Sequence, residues 1–405
     1  MFSKMRLSLI LALIIASVLS DSTQGNIVKR YLQYLRDEGK LAGRLTNSQN
    51  LKTRLSLFKT NVKLVEDHNA KHSSYKLEIN RFSDLSDGEL AQYHGLNASL
   101  VVEEEDVLTS YTSPLLPVSV PDAVDWVAQG YVTPAKDQGR CGSCWAFGSN
   151  VALEGSHKKA TGVLKNFAEQ EYLDCVFTTR DGCTGGAAHV CFDFNKRTGH
   201  MASQYAYPYT ATDVDRSVCD LTKYKNSLIA AKVTSRVNSR HVETEENTIK
   251  LLSIQPVTLF IEATRTLHQY KEGILLDRTC WSETNHAVAG VGYTPQYIIV
   301  KNSWGASWGE SGFFKLMRGW SNCGLYLRAQ YPVMEPNGEK ETEEGAKQAL
   351  YDHTAIVGPD PPKPDPDCDN GFGDIYCSRM TRSSCHSPQI RNVFCRKACN
   401  NCWLD

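Results

Sequence analysis

No cysteine occurs before residue 141, although the 405-residue chain holds 14. Eight lie between 141 and 323, and six lie between 368 and 402. The first third therefore has nothing to staple it, and the two clusters predict two separate disulfide frameworks behind a cysteine-free leader. An excess of charge is also missing: 44 Lys and Arg against 45 Asp and Glu leave a net −1. That balance removes the electrostatic case for nucleic acid or an anionic membrane surface as partner. Long apolar runs are scarce. Residues 7–19, 13 in number, follow Lys4 and Arg6 and are too short to span a bilayer. With Val18-Leu19-Ser20 as a cleavage site, they predict a secretory signal peptide over 1–20, and no later stretch predicts a membrane span. The mature chain would then meet an oxidising compartment, where disulfides persist.

The segment from 21 to 119 is built differently from the rest. Residues 26–38 and 50–69 read as amphipathic helices; in the second, Leu51, Leu55, Phe58, Val62 and Val65 recur at helical spacing. Asn97-Ala98-Ser99 is an N-glycosylation acceptor at Asn97, and Glu103, Glu104, Glu105 and Asp106 form an acidic run. Pro114, Pro117 and Pro121 then mark an extended, protease-sensitive boundary near residue 120.

Residues 138–147 read Gln-Gly-Arg-Cys-Gly-Ser-Cys-Trp-Ala-Phe. With Ser143 as cap and Trp145, Phe147, Val151 and Leu153 as an apolar stripe, the pattern predicts a helix that places Cys144 in its first turn. Unpaired amides and the helix dipole there favour the thiolate, the form that attacks. Cys141 is then a structural half-cystine, and Gln138 a donor aimed at a developing oxyanion. Two other readings of Cys141-Gly-Ser-Cys144 stand beside this one, a redox pair and half a zinc site. A redox pair usually has its aromatic before the first Cys, whereas Trp145 follows the second. A zinc site needs another closely spaced Cys or His pair, and none is obvious.

Of 11 histidines, His286 opens an apolar run to Tyr293, Thr294-Pro295 signals a turn, and residues 297–302 return. A hairpin centred on Thr294 sets His286 nearly opposite Asn302, about 5 Å apart at Cβ. An Asn amide oxygen facing an imidazole accepts its N–H and fixes tautomer and orientation. Trp304 is placed to shield that bond from water. Taken alone, His286 reads first as an ordinary strand-end histidine; the combination of Gln138, Cys144, His286 and Asn302 is what carries specificity.

Cys-Gly-Ser-Cys-Trp at 141–145 resembles the nucleophile signature of the papain family of cysteine proteases. Residues 121–126, 182–186, Tyr207-Pro208-Tyr209, 285–288, 301–305, 308–310 and 323–325 extend the likeness, and 50–84 resembles the cathepsin L-type inhibitory propeptide through Arg54, Phe58, Asn61, Val65, Asn69, Asn80, Phe82 and Asp84. Asn50 and Glu78 depart from that propeptide's usual Glu and Gly. The resemblance implies an α+β, papain-like two-lobe fold over 120–334, with a helical lobe bearing Cys144 and a β-barrel-like lobe bearing His286 and Asn302. It implies an endopeptidase made as a zymogen, secreted or endolysosomal, acting on peptides and inhibited by its own propeptide, with no metal or organic cofactor. It implies disulfides Cys141–Cys183, Cys175–Cys219 and Cys280–Cys323, leaving Cys144 as nucleophile and Cys191 as a buried thiol or, alternatively, an intermolecular half-cystine. Gly185 and Gly186 fall where the family pairs with substrate backbone. Ala188, Phe260, Ala287 and Arg328 fall where it builds the pocket for the second residue before the scissile bond (P2). Arg328 there implies tolerance of an acidic P2 side chain; Arg328 turned to solvent is the competing reading. Acid is expected to promote activation through the 103–106 carboxylates.

Residues 335–367 are rich in Glu, Pro and Asp, which predicts an extended linker. Six cysteines then fall within 368–402, a unit too small to fold without staples. Its spacing resembles the ShK toxin-like module, which implies Cys368–Cys402, Cys377–Cys395 and Cys385–Cys399. The toxins' channel-blocking Lys-Tyr pair falls on Gln389-Ile390, so a docking role with an unknown partner is expected rather than channel block.

Overall fold

A computed structural model of the chain describes residues 22–45, 48–71, 73–96, 119–176, 182–199, 201–210, 219–220, 231–238, 244–280, 283–319 and 322–336. The signal peptide, Asn97, the 103–106 carboxylates, most of the linker, and the six-cysteine module with its three pairings lie outside the described residues. The chain forms two compact units: residues up to Ala91 together with Thr264–Leu275, and Gln92–Ala263 together with the chain from Leu276.

In the first unit, helices span Ser22–Asp37, Leu41–Leu45 and Ser48–Asn69, the first beginning before the predicted residue 26. The predicted stripe faces inward: Leu51, Phe58 and Val62 pack with Tyr31, Tyr34 and Leu35. Full burial of such side chains contributes roughly 1.5–3 kcal/mol each. Arg54 and Asn61, on the same buried face, are satisfied rather than stranded. Arg54 donates to Asn50 Oδ1 at 2.9 Å and grips both oxygens of Glu89; Asn61 Nδ2 donates to the Ser83 carbonyl at 2.8 Å. Strand Tyr75–Leu77 pairs antiparallel with strand Tyr270–Leu275. Asn80 Nδ2 donates to the His268 carbonyl and Ser83 Oγ to Gln269 Oε1, each at 2.8 Å. The leader therefore folds around a piece of later sequence.

Asp84 is the polar centre of that unit. Its carboxylate is fully buried and accepts from Lys40, Arg44 and Tyr34 at 2.9 Å and from Tyr31 at 3.3 Å. Burial works to raise its pKa, but Lys40 and Arg44 outweigh that and hold it below the ordinary value.

In the second unit the helices are α1 Cys144–Thr161, α2 Glu169–Cys175, α3 Ala188–Thr198 and α4 Glu245–Leu252. The strands are β1 Val124–Asp125, β2 Ala231–Asn238, β3 Val257–Ile261, β4 His286–Tyr293, β5 Tyr297–Lys301, β6 Phe313–Met317 and β7 Ala329–Pro336. They form an antiparallel sheet in the order β6-β5-β4-β3-β7-β2, with β1 on β4. This is the α+β, papain-like arrangement. The α1 helix lies against the sheet and is more enclosed than a stripe implies: every residue from Cys144 to Ser156, and His157, is buried. Gly148 and Gly155 let strand β3 approach, since a Cβ at Gly155 would sit 2.7 Å from Pro256.

The β4–β5 hairpin departs from the predicted register. Ala289 faces Lys301 and Gly290 faces Val300, with an irregularity between Gly290 and Gly292. Continuing that register sets His286 level with Trp304, not Asn302. The turn closes between Tyr293 and Ile298, so its centre lies past Pro295 and not at Thr294, and that offset shifts the ladder. Disulfides join Cys141 to Cys183, Cys175 to Cys219 and Cys280 to Cys323, while Cys144 and Cys191 are free and buried.

Candidate active site

Cys144 is the first residue of α1, where backbone N–H groups lack helical partners. Ser143 is the N-cap residue but its side chain makes no capping bond, contrary to expectation. The Ala287 N–H donates to Cys144 Sγ at 3.3 Å, so the sulfur lies one residue from His286 across α1 and β4.

His286 and Asn302 meet despite the shifted register, because Asn302 follows the last residue of β5 and turns back. Their contact, His286 Nε2 to Asn302 Oδ1, is 2.8 Å. Asn302 Oδ1 also accepts the Ser303 N–H at 2.8 Å, which fixes the oxygen on this side of the amide. His286 Nε2 must then carry the proton, and Nδ1 keeps the lone pair. Nδ1 has no hydrogen-bond partner among the described residues. Trp304 stacks on the imidazole at 5.0 Å and 25°, and Trp308 meets Trp304 edge-on at 5.0 Å. These rings exclude water from the His–Asn bond.

Gln138 is fully buried, and its amide is oriented from both ends. Oε1 accepts from Ser303 Oγ, while Nε2 donates to the Cys141 carbonyl at 2.8 Å and the Tyr93 carbonyl at 3.0 Å. Ser303 was not among the sequence candidates, although its place between Asn302 and Trp304 was a usable signal. Behind these groups, Lys136 Nζ bonds Glu169 at 2.6 Å and Glu154 at 3.3 Å, and Lys301 Nζ donates to Thr133 Oγ1 at 2.9 Å. This buried cluster ties the loop before Gln138 to α1, α2 and the strand that ends at Lys301, next to Asn302.

Residues 92–96 of the leader run through the same place. Gly95 and Leu96 N–H groups donate to the Asn285 carbonyl at 3.3 and 3.1 Å, and Gly186 N–H donates to the Gly95 carbonyl at 2.8 Å. Leu96 and Gly186 form a parallel bridge. A Cβ at Gly95 would lie 2.0 Å from the Gly142 carbonyl oxygen, so only glycine passes here. Gly185 has φ +110°, and a Cβ at Gly186 would lie 2.5 Å from the Trp145 ring. The glycine at 186 thus answers to Trp145 as well as to any chain laid along it. His94 lies beside His286, ring centroids 6.0 Å apart.

With this strand in place, Cys144, Gln138 and His286 are 0% exposed. Burial pushes the Cys144 thiol up to about 12, and it pushes His286 down to about 3, with His94 adding to the shift. Burial likewise pushes His94 down to about 4. In the covered site, burial thus works against the charged form of both members of the pair. Of the remaining candidates, Phe260 faces Ala287 across β3 and β4, and Ala188 opens α3, all three buried. Arg328 is half-buried just before β7, where Ala329 faces Leu259. Asp277, Cys280 and Cys323 converge within 4.8 Å, but the two sulfurs are joined as a disulfide and offer no thiolate to a metal.

Known proteins resemble the chain over both the leader and the region that follows it. Residues 120–333 match the model of the papain family cysteine proteases, and residues 33–90 match the cathepsin propeptide inhibitor domain. Cysteine proteinase 3 of Solanum lycopersicum is 36% identical over 300 residues, covering 72% of this chain and 81% of its own. Thiol protease aleurain of Arabidopsis thaliana is 32% identical over 317 residues, covering 76% and 85%. The proform of the Amb a 11 cysteine protease, a ragweed pollen allergen, superposes with a TM-score of 0.66 at 31% identity, covering 78% of this chain and 95% of its own. Digestive procathepsin L2 from Tenebrio molitor gives 0.64 at 29%, covering 76% and 99%. The leader is an inhibitory propeptide, and the chain is a thiol protease zymogen that belongs to the papain family of cysteine proteases.

Proposed function

We propose that Cys144 is the nucleophile of an endopeptidase acting by acyl transfer. Its thiolate attacks the peptide carbonyl carbon. His286, protonated at Nδ1 by the thiol, delivers that proton to the leaving amine and then activates water against the thioester. Gln138 Nε2 and the Cys144 N–H hold the oxyanion, and Asn302 keeps His286 in its tautomer. The observation that carries this reading is the Asn302–Ser303 contact, which leaves the lone pair of His286 on Nδ1 while Ala287 N–H holds the sulfur nearby. The Tyr93 carbonyl on Gln138 Nε2 occupies a donor that the reaction needs, which accounts for inhibition without cleavage. Titrating the processed enzyme with a thiol-directed irreversible inhibitor tests the assignment. One equivalent on Cys144 should abolish peptide hydrolysis; hydrolysis surviving full labelling refutes it.

Continuing the register from Ala329–Leu259 puts Arg328 level with Phe260, beside Ala287, which supports a shortened P2 pocket that accepts an acidic side chain. A P2 scan should show Asp and Glu accepted, and that tolerance lost in Arg328→Ala; an unchanged preference for Leu or Phe in both overturns it. Residues 1–20 support secretory or endolysosomal delivery, and the ShK-like spacing at 368–402 supports a docking module. Removing 335–405 should spare peptide hydrolysis and weaken retention on a matrix, cell or substrate surface; unaltered distribution counts against docking.

A further inference from the structure

Tyr209, in the Tyr207-Pro208-Tyr209 segment, bonds to neither Cys144 nor His286, yet its hydroxyl joins the two backbones that carry the oxyanion donors. Tyr209 Oη donates to the Gln138 carbonyl at 2.7 Å and lies 2.8 Å from Ser143 Oγ. A phenol has one proton, and a carbonyl only accepts. That proton therefore goes to Gln138, and the Ser143 hydroxyl donates to Tyr209. Ser143, the N-cap residue, makes no capping bond, and its hydroxyl is turned to Tyr209 instead. The ring is held edge-on against Phe147 in the first turn of α1, centroids 4.9 Å apart. The chain around it is anchored on both sides, by Tyr207 Oη on Asp174 Oδ2 at 2.5 Å and by Thr210 N–H on Gln170 Oε1 at 2.9 Å. Burial keeps the phenol protonated, so the donor persists across the working pH range of a protease.

We propose that Tyr209 is a positioning residue for acyl transfer: the relay from Ser143 to Tyr209 to Gln138 sets the spacing between the Cys144 amide and the Gln138 side chain. The inference rests on these two groups being the oxyanion donors. Gln138 is otherwise located by its own N–H on the Ser303 carbonyl at 2.9 Å and by its side-chain bonds. None of these ties it to the residue before the nucleophile. A donor displaced by a fraction of an ångström loses much of its effect on a transition state while hardly altering ground-state binding.

Tyr209→Phe keeps the ring and its contact with Phe147 and removes both bonds. In enzyme processed from the full chain, kcat for a peptide amide should fall about 10- to 100-fold with KM within about twofold. Affinity for a peptide aldehyde, whose thiohemiacetal places oxygen on the same donors, should fall in parallel. Alkylation of Cys144 by iodoacetamide develops no oxyanion, so its rate and pH profile should stay as in the unaltered enzyme. In a Gln138→Ala background the effect of Tyr209→Phe on kcat should largely vanish. Unchanged kcat, or alkylation slowed as much as hydrolysis, overturns the proposal. If Tyr209→Phe does not fold, Ser143→Ala cuts the relay at its far end and should give the same pattern at smaller size; its absence is equally fatal. Should Gln138→Ala itself leave kcat intact, the failure lies with the oxyanion assignment and not with Tyr209.

Discussion

The propeptide contributes two very different environments to buried ionisable groups. In the leader unit, Asp84 is buried and Glu89 half-buried, and each faces cations: Lys40 and Arg44 for Asp84, Arg54 for Glu89. Burial works against the charge at Glu89 too, but the Arg54 bonds and the Ser86 contacts outweigh it and bring it down to about 2. Around residues 92–96, burial is the leading influence on His94, His286 and Cys144, and it works against the charged form of each. Burial alone thus dictates neither outcome; the partner does. Ion pairs favour charge in the first set, whereas burial disfavours it in the second.

The largest break in this comparison is Cys144→Ala, which removes the thiol altogether. Peptide hydrolysis should drop by roughly 10⁴- to 10⁶-fold, and the purified full chain should remain unprocessed, read by hydrolysis rate and gel mobility. Next is Asp84→Asn, which strands Lys40 and Arg44 around a neutral amide. Losing one partner of a buried charge cluster costs roughly 3–5 kcal/mol. Thermal unfolding of the full chain should show the leader's transition lowered, and inhibition at neutral pH should weaken. An unshifted transition would mean that the cations are solvated enough to need no anion.

The third concerns acid. His94 and His286 have pKa values below their ordinary 6.5 when covered, so the uncovered form binds more protons. Closure is therefore complete above 6.5 and weakens as pH falls through about 4 for His94 and about 3 for His286. Processing should accelerate between pH 6.5 and 4 by up to about tenfold per unit for each proton taken up. His94→Gln should reduce that steepness; equal pH profiles would return the trigger to groups such as the 103–106 carboxylates. The smallest effect is a control on the leader side. Lys63→Ala removes an exposed pair with Asp67 and should move the melting temperature by no more than about one degree.

The helix over 48–69 was legible because its apolar spacing and its burial answer to the same period. The start of α1 at Cys144 was legible for a related reason: the apolar residues Trp145, Phe147, Val151 and Leu153 follow Ser143 directly. Ser143 shows the limit, since its hydroxyl bonds a tyrosine that no local window contains. The hairpin shows another. His286 and Asn302 were brought together by assuming an even turn; they do meet, but through a shifted ladder and a side chain that turns back after the strand ends. Ser303, which sets both the Asn302 and Gln138 amides, was readable only as a neighbour.

By itself the amino-acid order settled which atoms are available: a thiol after a pinned turn, an imidazole, two amides, glycines where backbones must touch, and a leader able to fold. Only the tertiary structure decided their surroundings, namely which nitrogen of His286 meets Asn302, that the thiol is covered, and that cations enclose Asp84. The reason is physical. Proton affinity depends on how much water a group loses and which charges replace it, and both are set by residues tens to hundreds of positions away in the chain.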